Sequence, residues 1–103
     1  MTGERFNLTV QAFFAECERT LKRKALEYAP GDDRLAHFKS AAELQACSPR
    51  EALWSMAAKH MVSLSGMVKS GRAYDAGLWT EKLMDITNYC LLLRALIEEE
   101  TNA

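Results

Sequence analysis

The apolar residues of this chain recur every three or four positions in four successive segments, which is the spacing of amphipathic helices. No segment shows the alternation of apolar and polar residues that marks a half-buried strand. We therefore predict an all-α fold, a four-helix bundle-like domain in which helices three and four are antiparallel. The predicted helices cover about residues 7–28, 34–46, 49–69 and 78–100.

The sharpest boundary signal lies before helix three. Ser48 is expected to cap the helix, Pro49 to take its first position and Glu51 to complete a capping box. Three acidic residues end helix four, where they oppose the helix dipole, so we expect fraying over residues 98–100. The other predicted boundaries are Pro30-Gly31 at the end of helix one, Asp32 or Asp33 as the cap of helix two, and Asp75 as the cap of helix four.

Length and composition favour one globular domain. The chain has 103 residues and a net charge of -1, so we expect a single all-α domain over residues 1–103, with an ordered core of about 7–98, and no attraction to nucleic acid. No apolar run reaches the roughly 18 residues of a membrane span, and no signal peptide is evident. Three cysteines without paired spacing fit a reducing cytoplasm, with neither a disulfide nor a zinc site.

Helix four carries apolar residues on more than one face. A helix that is apolar nearly all round needs cover on most sides, and three partner helices in a small domain supply little of it. We therefore expect a homo-oligomer, most simply a two-fold dimer. The main apolar face comprises Trp79, Leu83, Ile86, Cys90, Leu93 and Ile97, with Leu92 and Leu96 on another face.

A polar stripe runs beside that apolar face. It is either a solvated edge or half of a site, in which its groups converge on a cation, a base or a ribose. Opposite charges near one core are expected to pair, because an isolated buried charge is costly. We therefore predict one polar cluster lining a cleft between helices three and four. It comprises Lys59 and His60 from helix three and Glu81, Asp85, Asn88 and Tyr89 from helix four.

Three segments together support a resemblance: YAPGDDR at 28–34 continuing to Phe38-Lys39, ALWSMAAKHMVS at 52–63, and LWTEKLMDITNY at 78–89. This combination resembles a family of small phage and prophage proteins akin to the nucleotide-modification-associated domains. A more distant similarity is to the MazG-like all-α nucleoside triphosphate pyrophosphatases, in which Glu81 and Asp85 match a Glu-rich segment ending in Asp. Those enzymes also need an ExxE-type pair on the preceding helix, where this chain has Lys59 and His60.

These patterns lead to a main hypothesis of ligand binding without catalysis. The ligand is a nucleotide or a nucleotide-derived signalling molecule, held in an interhelical or intersubunit cleft without a cofactor. In a phage protein located in the host cytoplasm, such binding would sequester a host immune messenger and act against host defence. Lys59, His60 and Arg34 are expected to meet phosphates, Tyr28, Phe38, Trp54 and Tyr89 to stack on a base, and Asp85 and Asn88 to bind a ribose or base edge, beside Glu81.

Two alternatives remain open at this point. One is a Mg²⁺-dependent MazG-like pyrophosphatase, with Glu81 and Asp85 as the metal ligands. The other is an inhibitor that docks on a host defence protein, which the two tryptophans, five methionines and four phenylalanines of the chain also fit.

Overall fold

The computed structural model describes residues 1–102, which form four helices and no strand. This confirms the all-α prediction. Helices α3 and α4 are close-packed antiparallel neighbours joined by residues 71–75, α2 packs on α3, and α1 packs on α4. None of the helices in the described part has the length and hydropathy needed to span a bilayer. The helices are α1 Gly3–Tyr28, α2 Ala36–Gln45, α3 Pro49–Ser70 and α4 Ala76–Asn102.

Hydrogen bonds to capping side chains fix the starts of three helices. At α3 the predicted capping box is present: the Glu51 N–H donates to Ser48 Oγ and the Ser48 N–H donates to Glu51 Oε1, each at 3.2 Å. Thr2 accepts from the Arg5 N–H at 3.1 Å, so α1 begins one turn earlier than predicted. Asp75 accepts from the Leu78 N–H at 3.0 Å, so α4 begins at Ala76.

The start of α2 differs from the prediction, because its N-cap is Leu35 and neither Asp32 nor Asp33. Asp33 Oδ1 accepts from the Leu35 N–H at 2.9 Å, and α2 starts only at Ala36, because residues 34 and 35 form a turn. Asp33 Oδ2 also pairs with Lys39 Nζ at 2.6 Å. These contacts hold the segment before α2 in place, including Arg34.

The C-terminus of α4 does not fray where the acidic residues predicted it, and the helix continues to Asn102. Two long-range ion pairs oppose the unfavourable dipole. Glu99 Oε1 pairs with Lys39 Nζ at 2.6 Å, and Glu100 pairs with Arg50. These pairs tie the end of α4 to α2 and to the start of α3.

The main core lies between α2, α3 and α4. Leu53 and Leu96 are almost fully buried there and contact Leu35 and Phe38. On the other side of α4, Cys17 of α1 is fully buried, and Thr20 Oγ1 lies 3.2 Å from Met84 Sδ. Between this α1 contact and the main core, the middle of α4 faces a cavity.

Candidate functional site

A cavity of about 280 Å³ lies between the C-terminal half of α1, the start of α2, α3 and the middle of α4. Its volume is at the small end of the range for ligand pockets, roughly 300–1,000 Å³. Helix α4 supplies four residues at intervals of three and four positions, so they share one face. The lining residues are Leu21, Lys24 and Tyr28 of α1, Arg34, His37 and Phe38 around the start of α2, His60 of α3, and Asp85, Asn88, Tyr89 and Leu92 of α4.

Asn88 is the buried polar group of this cavity. Only 6% of its surface is exposed, and its Nδ2 donates to the Cys17 carbonyl at 3.4 Å. Its Oδ1 is buried without a hydrogen-bond partner among the described residues. An unpaired buried acceptor costs about 1–3 kcal/mol, so proteins rarely keep one without a reason. Asn88 is therefore a polar residue in the wall of the cavity, with its Oδ1 closed off from solvent.

Asp85 lies one turn before Asn88 and carries the cavity's negative charge. Its Oδ2 is 3.3 Å from His60 Nδ1, and its Oδ1 is 3.6 Å from Lys24 Nζ. The predicted pairing of His60 with Asp85 across α3 and α4 is therefore present. The lysine that joins them is Lys24 of α1, where the sequence had suggested Lys59.

Arg34 lines the cavity from the turn before α2. Its Nη2 donates to the Leu21 carbonyl at 3.3 Å, which ties this turn to α1. Among residues 1–102, no carboxylate forms a salt bridge with its guanidinium. Its remaining N–H groups are the kind of donor that binds a phosphate or another anion.

Two aromatic pairs line opposite parts of the cavity. The rings of Tyr28 and His37 have centroids 5.2 Å apart, and so do the rings of His60 and Tyr89. Tyr28 and His37 are exposed at the mouth, whereas Phe38 is buried. Burial and the nearby charge of Asp85 raise the pKa of Tyr89, which keeps its phenol protonated at neutral pH. The cavity therefore offers ring faces for stacking beside polar groups.

Three predicted site residues lie outside the cavity. Lys59 is exposed because it is rotated about 100° around α3 from its neighbour His60. Glu81 is exposed one turn before Asp85, beyond the end of the cavity. Trp54 is exposed almost two turns before His60 and lines a different depression with Leu93 and Ile97. The predicted cluster is therefore reduced to His60, Asp85, Asn88 and Tyr89.

The other predicted residues, Tyr28, Arg34 and Phe38, do line the cavity. Sequence reasoning missed Lys24 and His37 as lining residues. Lys24 belongs to a basic group near the end of helix one, where cations favour the negative end of the helix dipole, although its spacing from Leu21 and Tyr28 places it on their face. A lone histidine at the start of a helix is more often a surface residue than a ligand, and His37 is exposed.

The residues of this site do not fit the Mg²⁺ that the MazG-like resemblance implies. Asp85 faces two basic side chains, and Glu81 does not reach the cavity. Within residues 1–102, no group of three or more His, Cys, Asp or Glu side chains is placed to hold a metal ion. Mg²⁺ prefers carboxylate and phosphate oxygens, and an ammonium group is no ligand.

Comparisons with models of known protein families, with curated proteins and with solved structures found no match. The resemblances drawn from the sequence therefore stay predictions. What supports a function for this chain is the chemistry of its own cavity.

Proposed function

We propose that the cavity binds a small nucleotide or a nucleotide-derived signalling molecule. The observation that carries the proposal is the lining of the cavity. The Asp85 carboxylate and the Asn88 amide lie there beside aromatic rings and two cations, Lys24 and Arg34. A ligand with N–H donors fits the Asp85 carboxylate, because a hydrogen bond to a charged group contributes about 1.5–3 kcal/mol.

The neighbours of Asn88 favour a flat heteroaromatic ligand. Asp85 offers carboxylate oxygens one turn away, and rings surround the space at Tyr28, His37 and Tyr89. A nucleobase presents N–H donors at its edge and a ring face for stacking, so it uses both features at once. A simple aliphatic ligand uses neither.

The cations at the cavity favour a phosphate on the same ligand. Arg34 keeps free N–H groups, and Lys24 is held 3.6 Å from Asp85 with its side chain partly exposed. A guanidinium binds phosphate oxygens through charge-assisted hydrogen bonds. The base then contacts the rings and Asp85, and the phosphate contacts Arg34 and Lys24.

The proposed activity is binding, in keeping with a phage-type protein that sequesters a host immune messenger in the cytoplasm. Hydrolysis by a MazG-like route is disfavoured, because the acidic pair that this route needs for Mg²⁺ does not line the cavity. Retention of the ligand requires only the donors, acceptors and rings described above.

Isothermal titration calorimetry with AMP, GMP, CMP, UMP and cyclic dinucleotides tests the proposal. We expect at least one of these probes to bind with a micromolar or lower dissociation constant. Arg34→Ala is expected to weaken that binding by about tenfold or more, since a hydrogen bond to a charged group contributes about 1.5–3 kcal/mol. Arg72→Ala, which changes an exposed arginine in the α3–α4 connection, is the matched control and should bind like the wild type.

Absence of heat and of any thermal shift with every probe would contradict the proposal. Equal loss of binding in the Arg34 and Arg72 variants would place the binding surface elsewhere on the chain.

A further inference from the structure

The N-terminal half of α1 is an apolar helix with little cover. Residues 6–15 include no charged residue, although 26% of the whole chain is charged. Residues 1–9 are all exposed, and the exposed fractions of Phe6, Leu8 and Phe14 are 56%, 53% and 54%. Isolated exposed apolar residues are ordinary, but a continuous uncharged segment of this kind marks an interaction surface.

The chain exposes more surface than an average monomer of its mass. Its solvent-accessible area is 7316 Å² for a mass of 11.6 kDa. A folded monomer of that mass exposes about 5,800 Å² on average. The excess of roughly 1,500 Å² exceeds the approximately 800 Å² that each partner buries in a stable interface. The excess is therefore large enough to allow an interface with one further copy of the chain.

The charges that flank the segment indicate which partner fits. Arg5 precedes it and Glu16 follows it, and neither forms a salt bridge within the described residues. The two are eleven residues, or about three turns, apart, so they lie on the same side of α1. When two such helices pair antiparallel, Arg5 of each copy lies near Glu16 of the other. Parallel pairing puts like charges together instead.

We propose that residues 6–15 of α1 pack antiparallel against the same segment of a second copy, forming a two-fold dimer. Phe6, Val10 and Phe13 follow the helical spacing that leads to the buried Cys17. Phe13 still lines a depression with Thr80 of α4, and Phe6 continues this face to the exposed start of α1. The contact is isologous, with two symmetry-related Arg5–Glu16 pairs at its rim. It is independent of the nucleotide proposal, because the cavity uses Leu21, Lys24 and Tyr28 at the other end of α1.

Sedimentation velocity on the full chain at micromolar concentration tests the dimer. We expect a wild-type mass of twice 11.6 kDa. Phe14→Asp places a charge within the proposed interface and should give a monomer. Leu44→Asp makes the same kind of change at an 89% exposed residue of α2 and should remain dimeric. Circular dichroism establishes that both variants keep their helices.

Charge reversal tests the orientation without touching an apolar side chain. Arg5→Glu and Glu16→Arg should each raise the dimer dissociation constant by about fivefold or more, and the double variant should restore it to within about twofold. A wild-type monomer would overturn the proposal and leave the face to a different protein. A dimer that survives Phe14→Asp, or that the double charge reversal fails to restore, would also overturn it.

Discussion

Asn88 shows which part of this site could be predicted from the spacing of residues in the sequence. Its spacing from Asp85 and Tyr89 predicted a shared edge of α4, and all three residues line the cavity. For Lys59 the same reasoning gave the wrong orientation. Adjacent residues point about 100° apart on a helix, and His60 takes the inward direction while Lys59 remains exposed. A border position on an apolar band does not say which neighbour turns inward.

Asn88→Leu is the most direct substitution at the residue scale. The substitution removes the unpaired acceptor, which is favourable, and the hydrogen bond from Nδ2 to the Cys17 carbonyl, which is unfavourable. Because the two effects oppose each other, we expect the free energy of unfolding to change by less than about 1 kcal/mol. Binding of a nucleotide probe should weaken by about tenfold, because an apolar side chain replaces the amide beside Asp85 in the wall of the cavity. Urea denaturation and calorimetry on the same variant measure the two effects. A large loss of stability with unchanged binding would show that Asn88 is purely structural.

Asp33 and Lys39 predict a pH dependence of stability. The hydrogen bond from Lys39 and that from the Leu35 N–H lower the pKa of Asp33, and the pairing with Asp33 and Glu99 raises the pKa of Lys39. Because the folded pKa of Asp33 is depressed, its contribution is present above the unfolded pKa, about 3.9, and is lost as pH falls through the folded value. The raised pKa of Lys39 acts at the alkaline end, where its contribution is lost as pH rises through the folded value.

The measurement compares the unfolding free energies of the wild type and Asp33→Asn between neutral and strongly acidic pH. We expect a constant difference above about pH 5 that shrinks below it. Asp32→Asn, at an exposed neighbour without a salt bridge among residues 1–102, should show a much smaller pH-dependent difference. Equal acid dependence in the two variants would contradict the assignment.

At the scale of helices, local chemistry predicted most boundaries. Ser48, Pro49 and Glu51 marked the start of α3 correctly, because a capping box involves only neighbouring residues. The end of α4 was predicted wrongly, because the pairs of Glu99 with Lys39 and Glu100 with Arg50 join residues far apart in sequence. Contacts of that kind have no signature in a local window.

Ser48→Ala tests the capping box. The Glu51 N–H loses its acceptor, so we expect the free energy of unfolding to fall by about 1 kcal/mol. Ser55→Ala, at an exposed position within the same helix, is the matched control and should be neutral or slightly stabilising, since alanine is the better helix former. Thermal or urea denaturation gives both values, and equal values would contradict the role assigned to Ser48.

At the scale of the whole molecule, α1 has two surfaces of different character. Its C-terminal half lines the cavity with Lys24 and Tyr28, and its N-terminal half leaves Phe6 and Phe14 exposed. The molecule is elongated, with extents of 44 × 29 × 25 Å. The sequence predicted an oligomer from the faces of helix four, where Leu83 and Leu91 are 43% and 44% exposed, and α1 exposes a further apolar segment. Periodicity reveals that an apolar face exists, and only the packed helices show which face lacks cover.

Substitution of Asp85 tests the binding proposal most directly. Glu81, one turn earlier on α4 and exposed, provides the matched control. The calorimetric affinity of a nucleotide probe is compared in the wild type, Asp85→Asn and Glu81→Gln. Asp85 lines the cavity between Lys24 and His60, whereas Glu81 lies one turn away in solvent. We predict that Asp85→Asn weakens binding by about tenfold or more and that Glu81→Gln changes it by less than about twofold. Equal affinities in all three proteins would contradict binding in this cavity.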